Sequence, residues 1–162
     1  MRVIIFINSL GIGGTEKFLT YTLPRLKRMR ITVVTWGRLD LAPELIRGGI
    51  EVKWLVGNKL AVFFGVLSII RANRDSIVHF YLPEAYLIGG IAGVLAGHKR
   101  MIMSRRSLNE YQHKHRIAAL IERRLHKRMM CILANCNAVR DELLAEGAPP
   151  DKVGLIYSGV PM

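Results

Sequence analysis

The chain has 162 residues, 51% hydrophobic and 22% charged, with 24 Lys/Arg against 12 Asp/Glu and a formal net charge of +12. A chain of this size buries roughly 70% of its unfolded surface and needs neither metal nor disulfide to fold, which excludes a disordered tail and a cysteine-stapled miniprotein. The positive excess points to anionic partners: nucleic acid, a phospholipid surface or a phosphorylated small molecule.

The first element, RVIIFIN (Arg2–Asn8), is a near-continuous β-branched run, as a strand buried on both faces requires. A glycine-rich turn and a helical pattern over Thr15–Met29 follow. Strand ITVVTW (Ile31–Trp36), helix Leu41–Arg47, strand IEVKWL (Ile50–Leu55) and helix Leu60–Asn73 come next. Then come strand SIVHFY (Ser76–Tyr81), helix Glu84–Ala96, strand RMIMSR (Arg100–Arg105) and helix Glu110–Lys127. Strand CILAN (Cys131–Asn135), helix Ala138–Glu146 and strand KVGLIYS (Lys152–Ser158) complete the order. Such alternation forces parallel strands with crossover helices. The prediction is one α/β domain over residues 1–162, a Rossmann-like, doubly wound parallel sheet of about seven strands with helices on both faces.

Smaller signals support this order. Asn135 or Asn137 is placed to cap the helix near Ala138, and Gly147 with Pro149 and Pro150 stops it. Gly89, Gly90, Gly93 and Gly97 give the fourth helix a small-residue face suited to close packing on the sheet. Two cysteines, Cys131 and Cys136, form no CxxC pair and read as free thiols in a reducing compartment. The opening apolar run is too short for a signal peptide. Leu60–Ile70 and Ala85–Gly97 fall short of the roughly 18–20 apolar residues that span a bilayer. The expected location is cytoplasmic.

The turn after the first strand, Gly11-Ile-Gly13-Gly14-Thr15-Glu16, matches the first two glycines of a dinucleotide fingerprint but puts Glu16 at the third position. A carboxylate there crowds the helix–sheet contact and repels a pyrophosphate, which disfavours an NAD(P)-dependent oxidoreductase. A P-loop is excluded because Gly-Lys-Ser/Thr is absent. The loop still suits an anion: Gly13, Gly14 and Thr15 let backbone approach a ligand at a helix N-terminus. Glu16 favours the helix start or meets a hydroxyl.

GIGGTEKFL resembles the GGxE loop of family 4 glycosyltransferases with the GT-B fold. Glu122-Arg123, the run Ala134-Asn135-Cys136-Asn137-Ala138-Val139-Arg140, Gly147 to Val153 and Ser158-Gly159-Val160 resemble its ordered later motifs. DSIVHFYLPEAYLIGG (Asp75–Gly90) resembles the family's DIVHxH strand and following helix. Cys136 stands in place of the usual Ser, and Ser158 and Pro161 in place of the linker Asn and Asp. Where the family often has a His after the fifth strand, this chain has Ser104, Arg105 and Arg106, so no catalytic residue is assigned.

The resemblance implies the N-terminal, acceptor-binding lobe of a retaining glycosyltransferase. That enzyme takes a nucleotide-diphosphate sugar as donor and a hydroxyl as acceptor, and needs no cofactor and no metal. Its acceptor is lipid-linked in many members, in polysaccharide or glycolipid synthesis. A second, donor-binding domain with an E-x7-E motif is expected, and no Glu here has another Glu eight positions on. The lobe alone is expected to be inactive.

Basic charge is concentrated between Lys99 and Arg128, with ten Lys/Arg against Glu110 and Glu122. Within that segment Ile117, Leu120, Ile121 and Leu125 recur at helical spacing and predict an inward face. Lys114, Arg116, Arg123, Arg124, Lys127 and Arg128 then form an outer basic surface. It reads as a solvated face or as a site for peripheral contact with anionic lipid. Nucleic acid is disfavoured, because no zinc ligands, helix-turn-helix spacing or RNP-like aromatic pair occur. A non-catalytic domain binding a membrane or polyanion is the reading from another class. Arg105 and Arg106, at a strand's C-terminal end, suit a phosphate or carboxylate on the acceptor, or pair with Glu84 or Glu110. Glu84 opens a helix on the same edge and meets an acceptor hydroxyl or complements the helix dipole. His79 reads as a buried, hydrogen-bonded core residue. His113, His115 and His126 make no metal spacing.

Overall fold

The structure, a computed structural model, describes residues 1–108 and 116–157. Its strands are β1 (Arg2–Ile7), β2 (Arg30–Thr35), β3 (Glu51–Trp54), β4 (Ile77–Tyr81), β5 (Met101–Arg105), β6 (Cys131–Ala134) and β7 (Val153–Leu155). They form one sheet in the order β3-β2-β1-β4-β5-β6-β7, every pairing parallel. The helices are α1 (Gly14–Thr22), α2 (Ala42–Arg47), α3 (Lys59–Ala72), α4 (Pro83–Leu95), α5 (Arg116–His126) and α6 (Asn137–Ala145). This is the doubly wound α/β sheet that the alternation of elements predicts.

Because side chains alternate along a strand, each strand feeds two cores. Val3, Ile5 and Ile7 of β1 join Ile31 and Val33 of β2 against Leu19 of α1 and Leu45 of α2. Ile4 and Phe6, with Val78 and Phe80 of β4, pack on the other face against Val66 and Ile70 of α3 and Tyr86 of α4. Leu125 of α5 and Val139 and Leu143 of α6 extend that second core. The crossovers therefore change face between β1 and β4, and the loops leaving those two strands open a crevice at the C-terminal edge.

The α4 glycines do what their spacing predicts. A Cβ on Gly89 would lie 2.3 Å from the Phe80 ring, one on Gly90 2.8 Å from Leu125, and one on Gly93 2.4 Å from the Met101 sulfur. The helix backbone thus rests directly on the sheet and on α5. Gly97 has another reason to be glycine, since it ends the helix at φ +67°.

Three local expectations are corrected. The helix expected over Thr15–Met29 ends at Thr22, because Pro24 cannot continue it and sits in a 3-10 turn, Leu23–Arg25. Neither Asn135 nor Asn137 caps α6: Cys136 holds that position without a side-chain bond, while Asn135 Nδ2 donates to the Arg106 carbonyl and ties two strand tips together. In α5, Ile117 (79% exposed) and Leu120 (51%) face outward, while Glu122, Leu125 and His126 are buried. At about 100° per residue the helix is rotated by about one residue from the expected orientation. Ser158 of the last predicted strand lies outside the described residues.

Gly89→Ala is expected to lower stability by about 1–3 kcal/mol, because the clashing atoms belong to a buried ring rather than a flexible side-chain end. A denaturant midpoint within error of the wild type would contradict this packing.

Candidate functional site

At the crevice, the loop after β1 is held by main chain. Leu10 N–H donates to the Arg38 carbonyl (2.8 Å) and Leu41 N–H to the Leu10 carbonyl (2.9 Å). Gly37 lets the two loops meet, since a Cβ there would lie 2.6 Å from the Asn8 carbonyl oxygen. Gly13 caps α1 without any side-chain bond, so the first-turn amides of Gly14 and Thr15 point outward with the helix dipole behind them. Nothing lies within 4 Å of where a Gly14 Cβ would be. Gly13 is different: a Cβ there would lie 2.4 Å from Glu16 Oε2. The Glu16 side chain has folded back over the loop and holds its carboxylate beside the helix N-terminus.

Across the crevice, the turn from β4 into α4 is strained. Leu82 has φ +70° and is the non-glycine residue with positive φ among the described residues. The turn sets Glu84 in the first turn of α4, half-buried, where it accepts from Trp36 Nε1 at 3.4 Å. The predicted alternative, pairing of Glu84 with Arg105 or Arg106, is not what the geometry gives.

The two adjacent arginines separate. Arg105 is the last residue of β5 and shares a face with Met101 and Met103, beneath α4, α5 and α6. It is buried, with Nη1 at 2.6 Å from Glu146 and 3.7 Å from Glu142, and Nη2 at 3.5 Å from Glu122. His126 extends the cluster, its Nε2 3.2 Å from Glu146 and its Nδ1 2.9 Å from the Tyr86 hydroxyl. Glu110, His113 and His115 lie outside the described residues, and among those described the carboxylate partners of Arg105 come from α5 and the C-terminal end of α6 and not from Glu84. The reason is the strand's two-residue period, which sends Arg105 under the helices. Its guanidinium is engaged by these carboxylates, and Arg105 also lines the cavity that Arg106 borders.

Arg106 turns the other way and lies over the Phe18 ring of α1, with Cζ 3.9 Å from the centroid. There it borders a cavity of about 110 Å³ with Phe18, Tyr81, Ser104, Asn135 and Ile156. His79 Nε2 lies 2.8 Å from Ser104 Oγ, and its ring lies 4.4 Å from that of Tyr81. Burial pushes the His79 imidazole down to about 3, so it is neutral and serves to orient Ser104. Burial raises the Tyr81 phenol above its ordinary value, against the opposing pull of its bond to Ser104 and of Arg106. Burial also lowers Arg106, which faces Tyr81. The floor is thus a neutral hydroxyl pair and its rim a desolvated guanidinium, a combination suited to a polyhydroxylated or anionic ligand.

Trp36, Gly37, Phe18 and the Tyr81–Ser104 pair were not among the expected site residues. Two signals were available: Gly37 as a lone glycine closing a strand, and His79 and Tyr81 on the same face of β4. Of the basic surface, Arg116, Arg123, Arg124, Lys127 and Arg128 are exposed, and Lys114 lies outside the described residues. Both cysteines are free and half-buried. Among the described residues no cluster of His, Cys, Asp and Glu has metal-site geometry, and no helix is long and apolar enough to cross a membrane.

Residues 12–162 match the family model described as Glycosyltransferase Family 4. No curated protein sequence matches the chain. Among solved structures, the Anabaena Alr3699/HepE complex with UDP and glucose superposes with a TM-score of 0.84 at 16% identity, over 99% of this chain and 45% of that one. The lipopolysaccharide outer core galactosyltransferase WaaB, in its apo form, gives 0.71 at 15% identity, over 99% and 46%. A UDP-N-acetylglucosamine 2-epimerase from Rickettsia bellii gives 0.68 at 14%, over 98% and 45%. The chain thus spans less than half the length of these neighbours. Because the lobe is shared by transferases and an epimerase, the structural likeness speaks for the fold.

Two outcomes follow from the geometry. Arg105→Met is expected to cost about 3–5 kcal/mol by leaving Glu122 and Glu146 buried without their cation, and Glu122→Gln in the same chain should restore part of it. Equal denaturant midpoints for wild type and Arg105→Met would contradict the cluster. For His79, the unfolded imidazole titrates near 6.5, so between about pH 6.5 and 3 the unfolded state binds more protons than the folded one. Stability should therefore be lost as pH falls through that window and be unaffected by this group above it. His79→Gln should flatten this part of the curve, and an unchanged slope would contradict the assignment.

Proposed function

Because the chain belongs to glycosyltransferase family 4, we propose that it is the acceptor-side lobe of an enzyme moving a sugar from a nucleotide-diphosphate donor to a hydroxyl. The reading extends to retention of anomeric configuration and to polysaccharide or glycolipid synthesis. The observation that carries it is the crevice between the β1 and β4 loops. There an uncovered glycine at a helix N-terminus faces the same edge as a polar cavity.

The roles divide as follows. As the bond from the anomeric carbon to the diphosphate breaks, negative charge grows on the leaving oxygen. The Gly14 and Thr15 amides and the α1 dipole oppose that charge without reorganising. Glu16 must leave its place over Gly13, since two anions cannot share that position. Once displaced, it and Glu84 are hydrogen-bond acceptors for hydroxyls of the sugar or acceptor. Arg106, Ser104 and Tyr81 hold the acceptor at the cavity, with Arg106 receiving any phosphate or carboxylate it bears. UDP is present in the HepE complexes and supports a uridine nucleotide as the first donor class to test. An oxidoreductase reading is opposed by the Glu16 carboxylate, which crowds the fingerprint turn.

The experiment uses the complete two-lobe protein. Gly14→Ala meets no atom within 4 Å, so stability should stay within about 0.5 kcal/mol of wild type. Its methyl group would stand where a phosphate approaches, so kcat/KM for the nucleotide-sugar should fall about tenfold or more. Wild-type turnover in Gly14→Ala, or quenching of NAD(P)H fluorescence in place of nucleotide-sugar turnover, would overturn the reading.

A further inference from the structure

β3 (Glu51–Trp54) forms one edge of the sheet, with β2 on its inner side. Leu55 N–H donates to the Thr35 carbonyl, so the main-chain groups of Leu55 and Lys53 face β2. Alternation along the strand then turns the N–H and C=O of Val52 and Trp54 outward, where no strand among the described residues pairs with them. Glu51 and Lys53 stand exposed on one face of this edge, with Lys53 Nζ 3.5 Å from Glu51 Oε1. Trp54, 55% exposed, lies on the other face. The edge therefore carries one charge of each sign, placed symmetrically about Val52.

We propose that β3 pairs antiparallel with β3 of a second copy of the chain, about a two-fold axis passing beside Val52. Val52 and the partner's Val52 then exchange two main-chain hydrogen bonds, as their outward groups require. Glu51 faces the partner's Lys53, and Lys53 the partner's Glu51, at the ladder positions where opposed side chains come closest. The ion pair already made along each strand becomes part of a ring of four alternating charges. Charge register selects both the occupant and the direction. Parallel pairing in register would set Glu51 against the partner's Glu51. Head-to-tail joining of β3 to the opposite edge would meet Val153, Gly154 and Leu155, which offer no charge. The contact is therefore closed rather than open-ended. Four residues of strand bury little, and further apolar area comes from Trp54 and from Val56, Leu60 and Phe64, all exposed where the chain runs from β3 into α3. The product is one continuous sheet with seven strands from each copy. Because the two β3 strands run in opposite directions, the two crevices open on opposite sides and neither is covered. This inference concerns assembly and does not rest on the reaction assigned above.

Sedimentation velocity of the complete protein over about a hundredfold range of concentration tests it, and a monomer–dimer equilibrium is expected. Glu51→Lys alone and Lys53→Glu alone each place two like-charge pairs across the axis and should weaken the dimer about tenfold or more. Circular dichroism should stay that of the wild type in both, because the two side chains are exposed. The variant carrying both reversals restores opposite charges at every position and should dimerise as the wild type does. Hydrogen exchange supplies a second readout that no surface charge effect imitates: the Val52 amide should exchange slowly in the dimer and rapidly in the dilute monomer. Five results would overturn the proposal: a monomer at every concentration, growth beyond the dimer, a dimer indifferent to either single reversal, no recovery in the doubly reversed variant, or a Val52 amide that exchanges equally fast in both states. Turnover of a nucleotide-sugar is measured separately, so failure of the dimer leaves the assigned reaction standing on its own test.

Discussion

Consecutive residues of a strand must point to opposite sides of the sheet, and at the tip of β5 that constraint divides two identical side chains between two tasks. Arg105 goes under α4, α5 and α6, where its charge is met by carboxylates from two helices. Arg106, the next residue, leaves the strand toward α1 and rims the cavity over Phe18. The buried ion cluster thereby fixes the strand tip from which the cavity-rimming guanidinium of Arg106 extends. Removing one partner from such a cluster is costlier than never having built it, so the scaffold and the site share a single point of dependence.

The same cluster sets the attitude of α5. Leu125 is buried by ordinary hydrophobic packing, but Glu122 and His126 are drawn in by Arg105, Glu146 and Tyr86. With those positions inside, helical geometry leaves Ile117 and Leu120 outside. The exposed aliphatic pair is thus a consequence of electrostatics in the interior, and the surface cannot be understood from the surface alone.

The fold was legible in the sequence because its signals are local and repeated: β-branched runs, helical spacing, and glycines where α4 rests on Phe80 and Met101. The place where the crossovers change face, between β1 and β4, was not legible, because alternation alone does not fix strand order. The position of the crevice was legible in outline, since the Gly13–Gly14 turn, Glu84 and Arg106 lie at the sheet's C-terminal edge as their places in the sequence imply. What was not legible depends on contacts between residues far apart in the chain. Arg105 pairs with Glu146, 41 residues on, and Tyr81 meets Ser104 across two strands. Periodicity also misled in α5, because apolar spacing identifies a stripe but not whether buried charges will outweigh it in orienting the helix. The end of α1 was legible too, in Pro24, which cannot continue a helix.

The main-chain bonds that join the β1 loop to the β2–α2 loop, with Gly37 lying against the Asn8 carbonyl, make the two loops one mechanical body. The backbone at the α1 N-terminus is therefore held in place from both sides. The part of this turn that remains free to move is the Glu16 side chain, whose carboxylate lies over Gly13 and can rotate about a few single bonds.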